Sequence, residues 1–540
     1  MSDPRIRVSH LRFAWADGTP VFEGLSFALG AQRTGLVAPN GAGKSTLLRL
    51  IAGELAPLAG QVEVAGRLAY LPQHRRLAGQ ASVAEVLGIA PTLAALAAIA
   101  AGDARQALFN AVGEDWDIAE RSRSALARLG LGDVDLHRRM ATFSGGEAMA
   151  LELAAQLLRR PGVLVLDEPS NDLDRNARQR LYRVLEAWEG CLLVASHDRA
   201  LLARMTQIAE LDDGALRIHG GDFDAWQRSV RAEQAATEQD VRGLRQALRR
   251  EQRQKQEARE RAERRAGVAR RRLPDAGLPR IVAGGRARSA QVSVAKSDER
   301  HGASVAQVRA RLDAAVRTLR ETPDLDFALP ETRVPAGQLL FAGEGLRVQR
   351  GGRALYAAPG LTLAIRGPER IALGGRNGAG KSTLLRLLAG ELAPDAGTIR
   401  RGAGRIAFLP QHLDVLDPAR SVLANLGLSA PQMPAAGRSN LLARLRFRGE
   451  RMHLPVAALS GGERLRAVLA CVLHAEPPPR LLLLDEPSNN LDLASVAELE
   501  AALRAYGGAL VVVSHDPAFV DALAPTRRLV LEDGRLVERV

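Results

Sequence analysis

Cysteine is almost missing from this chain of 540 residues: Cys191 and Cys471 are the two it has. That rules out a disulfide framework, a multi-cysteine zinc site or an iron–sulfur cluster, and it fits a reducing cytoplasm. Lysine is also scarce, with Lys44, Lys255, Lys296 and Lys381 the four among 74 cationic side chains. Aromatic residues make up 4%, and none falls between Arg228 and Arg320. Long apolar runs are absent too. The longest weakly apolar stretch, Ala90 to Ala101, is well short of the roughly 20 residues that span a bilayer, and Met1 to His10 has no apolar core of the secretory kind. The expectation is a cytoplasmic protein with no integral membrane segment.

Charge divides what is present. The stretch from Arg228 to Arg320 holds 24 Arg plus Lys against 11 Asp plus Glu, a net of +13, which equals the net charge of the whole chain. Everything outside that stretch balances, 50 basic against 50 acidic side chains, and the chain reads as two domains, 1–227 and 331–540, joined by a cationic connector, 228–330. Such a connector points to a phosphate-rich partner.

The flanking domains are near-copies. Asn40 to Pro57 reads NGAGKSTLLRLIAGELAP, and Asn377 to Pro394 differs from it only in having Leu388 where the first copy has Ile51. Each copy follows a short apolar strand (Gly35 to Val37, Ile371 to Leu373) and opens a helix, the setting of a phosphate-binding loop. Asn40, Gly41, Gly43 and Asn377, Gly378, Gly380 supply close backbone approach to phosphate. Lys44 and Lys381 reach the β- and γ-phosphates, Ser45 and Ser382 ligate Mg²⁺, and Thr46 and Thr383 complete the ATP-binding loops. The loop pattern asks for glycine six residues before the lysine. Gly375 obeys and Ala38 does not, which would cost roughly 1 kcal/mol if the position needed positive φ.

Two further strand cores, Leu164 to Leu166 and Leu481 to Leu484, end in Asp167-Glu168 and Asp485-Glu486. The aspartates suit Mg²⁺, and Glu168 and Glu486 suit activation of the water that attacks the γ-phosphate. Cys191 to Ala195 and Leu510 to Val513 lead to His197 and His515, each 29 residues after its glutamate. That equal spacing marks them as paired γ-phosphate contacts rather than two unrelated histidines.

With Ser144-Gly145-Gly146-Glu147 and Ser460-Gly461-Gly462-Glu463 lying upstream of the acidic strands, the chain resembles the ATP-binding cassette (ABC) proteins. Gln73 and Gln411 match the family's Q-loop, which implies Mg²⁺ contact, and SNDLD (Ser170 to Asp174) and SNNLD (Ser488 to Asp492) match its D-loop. The resemblance implies head-to-tail packing. Ser460, Gly461 and Gly462 would complete the first ATP site, and Ser144, Gly145 and Gly146 the second. Trp15 stands where the family stacks an aromatic on adenine, whereas the second copy offers Arg350, so unequal sites are expected. Gln73 to Ser144 spans 71 residues against 49 from Gln411 to Ser460, which implies a helical arm in the first copy, with Thr92 to Ala101 and Glu114 to Leu129 helical.

The connector reads as a helical hairpin: Ser229 to Arg272, breakers from Pro274 to Gly285, then Arg286 to Glu321. Val241, Leu244 and Leu248 would face Val305, Val308, Leu312, Val316 and Leu319 at its base, on helices reaching roughly 55 to 65 Å. Its tip carries Arg270, Arg271, Arg272, Arg280, Arg286, Arg288 and Lys296, which suit RNA phosphates; the lack of aromatics favours folded RNA over exposed bases.

Paired cassettes with a basic linker resemble the ABC-F family, although that family's D-loops more often read TNHLD. The fold implied is α/β, two P-loop ATP-binding cassette domains joined by a basic α-helical hairpin linker. The function implied is that of an ATP- and Mg²⁺-dependent ATPase acting on the ribosome through rRNA and tRNA, as a monomer whose two domains pair within the chain. A transporter's tandem ATPase subunit would give the linker no cationic task. A DNA-associated ABC ATPase is the other alternative, with DNA the less favoured polyanion.

Overall fold

A computed structural model describes residues 5–73, 79–171, 173–272, 302–316, 329–350, 352–411, 414–489 and 491–539. Contacts divide the chain into two compact units, one made of Met1–Phe223 with Pro323–Val540 and the other of Asp224–Thr322.

The larger unit repeats one architecture twice. In the first cassette a six-stranded sheet runs in the order Leu68–Leu71, Val163–Asp167, Cys191–Ala195, Arg33–Val37, Gln207–Asp212, Ala215–Gly220, parallel except for the last pair. The second cassette has the same order: Arg405–Leu409, Pro479–Asp485, Ala509–Val513, Arg370–Gly375, Arg527–Glu532, Arg535–Arg539. The central strands are covered on both faces, so they read as unbroken apolar runs rather than alternating ones; Val163–Asp167, Cys191–Ala195 and Ala509–Val513 are buried at every position. A three-stranded antiparallel sheet accompanies each, built on Ile6–Ala14 and on Leu339–Arg347.

Register is what assembles the chemistry. Asp167 pairs with Ala195, and Leu36 pairs with Ala195 from the other side, so the phosphate loop, the acidic pair and His197 leave adjacent strands at the same sheet end. In the second cassette Asp485 pairs with Val513, and Ala372 with Val512. Ligands of parallel α/β sheets sit beyond this carboxyl edge.

Between Gln73 and Ser144 the first cassette carries helices Ala90–Ala100, Gln106–Val112 and Ile118–Arg128, whereas the second has Val422–Ser429 and Ala435–Arg444 in the equivalent place. The cassettes also touch directly. Arg199 of the first makes a 2.9 Å ion pair with the buried Glu500 of the second.

In the smaller unit, helix Phe223–Arg272 has 50 residues, and residues 302–316 form a second helix. The first begins ahead of Ser229, so at 1.5 Å per residue it spans about 75 Å, longer than its composition alone predicted. Ser304 donates to Glu251 at 2.9 Å, and a Cβ on Gly302 would lie 3.6 Å from Lys255 Nζ, so the helices lie side by side. Val241 is buried and Leu244, Leu248, Val305, Val308 and Leu312 are half-buried, whereas Val316 is 42% exposed and departs from the expected apolar seam. Leu319 lies outside the described residues. Arg270, Arg271 and Arg272 end the long helix; Arg280, Arg286, Arg288 and Lys296 lie outside the described residues.

Candidate functional site

Each phosphate loop turns from strand to helix through left-handed glycines. Gly43 (φ 95°) immediately precedes helix Lys44–Ile51, and Gly380 (φ 101°) precedes helix Lys381–Ala389. A side chain on Gly43 would also strike Val21 and Phe22, and one on Gly380 would press on Tyr356, whose hydroxyl donates to Gly380 O at 3.0 Å. Ala38 is not among the residues of positive φ, so the missing glycine carries no backbone strain, whereas Gly375 has φ 145° and backs onto Leu531 O. Either residue presents its carbonyl to the lysine. Lys44 Nζ donates to Ala38 O, and Lys381 Nζ to Gly375 O, each at 2.9 Å.

A cavity of about 440 Å³ opens on the first loop, lined by Trp15, Asn40, Gly41, Gly43, Lys44, Ser45, Thr46, Gln73, Asp167, Glu168 and His197 together with Pro39 and Asn171. A second, of about 420 Å³, is lined by Arg350, Asn377, Gly378, Gly380, Lys381, Ser382, Thr383, Gln411, Asp485, Glu486 and His515, joined by Leu173, Arg178, Leu355, Asn489 and Val513. Residues as far apart as Trp15 and His197 thus face one volume in the first cassette, and residues as far apart as Arg350 and His515 face another in the second. Asn171 and Asn489, from the D-loops, were not singled out from sequence, although their place in the repeated SNDLD and SNNLD strings was a usable signal.

Within each cavity the glutamate and histidine are coupled. His197 N donates to Glu168 Oε2 at 3.3 Å and His515 N to Glu486 Oε2 at 3.1 Å, with each ring Nε2 3.4 Å from the glutamate's Oε1. Among the described residues those Oε1 atoms are buried without a hydrogen-bond partner. Both glutamates adopt positive φ, 49° and 48°, a conformation that costs a non-glycine residue roughly 1 kcal/mol and is often retained at working sites. The cavities then differ. His197 Nε2 lies 2.8 Å from Lys44 Nζ, whereas His515 Nε2 lies 3.2 Å from Asn377 Oδ1.

Burial sets the protonation states. It pushes the Glu168 carboxyl up to about 8, against the pull of Lys44, and Glu486 up to about 7, against the His515 amide, Arg178 and Lys381. It pushes His197 down to about 3, with help from Lys44, and His515 down to about 4, with help from Lys381 and Arg178. Both lysines are also lowered by burial. The histidines are therefore neutral at physiological pH.

A stability consequence follows for the nucleotide-free protein. A carboxyl whose pKa is raised in the fold from its ordinary 4.5 makes the folded state the more protonated one, so its contribution falls as pH rises toward about 7 to 8. The lowered histidines act oppositely, but only below their ordinary 6.5. The lowered lysines also act oppositely, below their ordinary 10.5, so the glutamates' own share between about pH 6.5 and about pH 8.5 is what their replacement isolates. The Glu168→Gln/Glu486→Gln chain is expected to melt at a higher temperature than the parent, by roughly 5 °C at the alkaline end, and with a flatter pH profile. Parallel melting curves across that window would contradict the assigned burial.

The serines of the glycine-rich signature are engaged elsewhere. Ser144 and Ser460 each cap their helix in a reciprocal box with Glu147 or Glu463, the serine hydroxyl lying 2.8 Å from the carboxylate in both. Among the described residues Ser144, Gly145 and Gly146 do not line the second cavity, nor do Ser460, Gly461 and Gly462 line the first. Gly461 does approach the first loop, since a Cβ on it would lie 3.6 Å from Asn40 Nδ2, and Asn40 N donates to Asp492 Oδ2 at 2.9 Å. The second cassette's D-loop thus holds the first cassette's phosphate loop.

The donor set fits a hard cation. A hydroxyl, a side-chain amide oxygen and a carboxylate face each cavity (Ser45, Gln73, Asp167; Ser382, Gln411, Asp485), as suits Mg²⁺ carried in with phosphate oxygens rather than caged by protein. Among the described residues no cluster of three or more His, Cys, Asp or Glu forms such a cage.

A sequence model of the family described as "ABC transporter" matches 22–171 and 359–489. The chain is 35% identical over 538 residues to the tylosin resistance ATP-binding protein TlrC of Streptomyces fradiae, covering 93% of this chain and 92% of that one. It is 31% identical over 549 residues to the ATP-binding protein Uup of Caulobacter vibrioides, covering 97% and 77%. Among solved structures it resembles one titled RNase-L Inhibitor, with a TM-score of 0.57 at 21% identity over 98% of this chain and 89% of that one, a likeness of fold. Among the described residues no helix is long and apolar enough to cross a membrane.

Proposed function

This chain belongs to the ABC-F family of tandem ATP-binding cassette ATPases, and from that premise we propose that it acts on the ribosome in the cytoplasm, ATP drawing its cassettes into a clamp that positions the cationic connector on rRNA and tRNA. The observation that carries this reading is the joining of two ATP sites by a connector whose stretch from Arg228 to Arg320 carries a net charge of +13. Everything outside that stretch balances at 50 basic against 50 acidic side chains, so it is the chain's largest surplus of charge to offer a polyanion, and arginine forks favour phosphate.

The chemistry assigned to each site is in-line attack of water on the γ-phosphate. Ser45, Gln73 and Asp167 in one site and Ser382, Gln411 and Asp485 in the other would hold Mg²⁺, which would supply positive charge to offset that of the triphosphate. The lysine, released from its loop carbonyls, meets the β- and γ-phosphates. Glu168 or Glu486, in its carboxylate form, orients the water and accepts its proton at the buried Oε1, while the neutral histidine, its ring released from Lys44 or Asn377, donates from Nε2 to the γ-phosphate. Signature residues Ser460 to Gly462 and Ser144 to Gly146 close over the phosphate from the opposite cassette, each at a helix amino terminus where free amides and the helix dipole favour an anion.

The test uses the Glu168→Gln/Glu486→Gln chain, sedimented with ribosomes across a salt series. The expected result is pelleting that requires ATP and weakens steeply with salt. Retention on duplex DNA or on membrane vesicles with none on ribosomes would replace this reading by one of its alternatives. The name of the Streptomyces relative makes tolerance to tylosin the first cellular phenotype to score.

A further inference from the structure

The two cavities differ in what the opposite cassette contributes. Leu173 and Arg178, both from the first cassette, line the second cavity, whereas every described residue lining the first cavity comes from the first cassette itself. Arg178 lies in the first turn of helix Arg175–Glu186, four residues beyond the capping Asp174. It is 8% exposed, its Nε donates to Leu173 O at 3.2 Å, and its Nη1 donates across the cassette boundary to His515 O at 3.3 Å. The amide of that same His515 holds Glu486 Oε2 at 3.1 Å, and its ring meets Asn377 of the phosphate loop at 3.2 Å.

Aligning the D-loops, Asp174 with Asp492, puts Val496 opposite Arg178. Val496 is 4% exposed and packs in the second cassette's own core, so it has neither charge nor donor to offer the first site. What the second cassette extends toward the first site is a carboxylate, Asp492, on the amide of Asn40. Each site thus feels a D-loop aspartate of its partner cassette, Asp492 beside Lys44 and Asp174 beside Lys381, and the second site receives a fixed cation, Arg178, as well.

We propose that Arg178 is a positioning residue of the second ATP site alone: by fixing the His515 backbone from the opposite cassette, it makes that site competent for hydrolysis only while the cassettes are docked. The inference rests on the assignment of Lys381, Glu486 and His515 to that site. Guanidinium is charged at any working pH, so the effect requires no titration. Its fork spans two carbonyls, Leu173 O on its own D-loop and His515 O across the boundary, which ties D-loop position to the segment that orients Glu486. A purely local role, closing the start of its own helix, would make Arg178 matter equally to both sites or to neither.

The experiment measures site-resolved turnover in the full chain. With Glu168→Gln silencing the first site, Arg178→Val, which copies the second cassette's own residue, should lower kcat by roughly tenfold with KM for MgATP moved less than about twofold, because the interaction serves the reacting geometry rather than binding. Arg178→Lys should recover part of that loss, keeping the charge but not the fork. With Glu486→Gln silencing the second site, the same Arg178→Val substitution should produce no comparable fall. Equal losses in both backgrounds, no loss in either, or a loss in KM alone would overturn the proposal. Thermal melting run on each variant separates a failure to fold from a failure to turn over. Persistent hydrolysis in the Glu168→Gln/Glu486→Gln chain would instead overturn the underlying assignment, whatever Arg178 does.

Discussion

Replacing Glu168 and Glu486 together with glutamine is expected to lower steady-state ATP hydrolysis by at least about 100-fold while leaving ATP binding intact, the scale of a lost general base. The geometry explains the division. The acceptor toward His197 N or His515 N is preserved, because glutamine keeps an oxygen for the 3.3 Å and 3.1 Å bonds. What disappears is proton acceptance at Oε1, which is buried and without a hydrogen bond among the described residues. Lys44, Lys381 and the loop amides proposed to hold the triphosphate are untouched. The measurement is phosphate release beside equilibrium binding of a fluorescent ATP analogue. A fall in binding matching the fall in turnover would move both glutamates from chemistry to structure. Each single variant should retain the turnover of the other site, and unequal retained rates would reveal the asymmetry that Trp15 opposite Arg350 already implies.

Removing Leu273 to Lys296 and closing the gap with a short Gly-Ser turn is the second large effect. ATP turnover should stay within about twofold, since the cavity-lining residues all belong to the cassettes. Ribosome association should fall sharply. The segment carries Arg280, Arg286, Arg288 and Lys296. If all four meet phosphates, the slope of log affinity against log salt should become shallower by roughly 3, at somewhat under one unit per contact. An unchanged slope would remove these side chains from the interface, and a collapse of ATP turnover would make the connector part of the ATPase itself.

The gathering of residues at the two cassette cavities was legible from residue type and spacing, because the chemistry of holding a triphosphate narrows the choice. Backbone amides must converge on oxygens, which asks for Gly41, Gly43, Gly378 and Gly380; a single reaching cation asks for Lys44 and Lys381; the duplication repeats each element in order. Strand ends were legible for a similar reason, since buried parallel strands are continuous apolar runs and their first polar residues mark the catalytic edge. The harmless Ala38 was not, since φ at that position is set by how the strand leaves the sheet. Nor was the signature serine's engagement with Glu147 or Glu463, although the S-x-x-E spacing of a capping box was there to be read.

By itself, then, the sequence determined which groups gather at the phosphate-loop cavity of each cassette, and how charge is shared out along the chain. Only the tertiary structure decided what crosses between the cassettes. Arg178 and His515 are 337 residues apart, and Asn40 and Asp492 are 452 apart. An arginine in the first turn of a helix reads from sequence as a solvated charge, and an aspartate before a helix as a cap; both readings describe the local chain correctly. Their second partners exist because two copies of one fold dock at a particular register, and no local periodicity encodes that register. Duplication made the sites alike in their own residues, and docking made them different in what each borrows from the other.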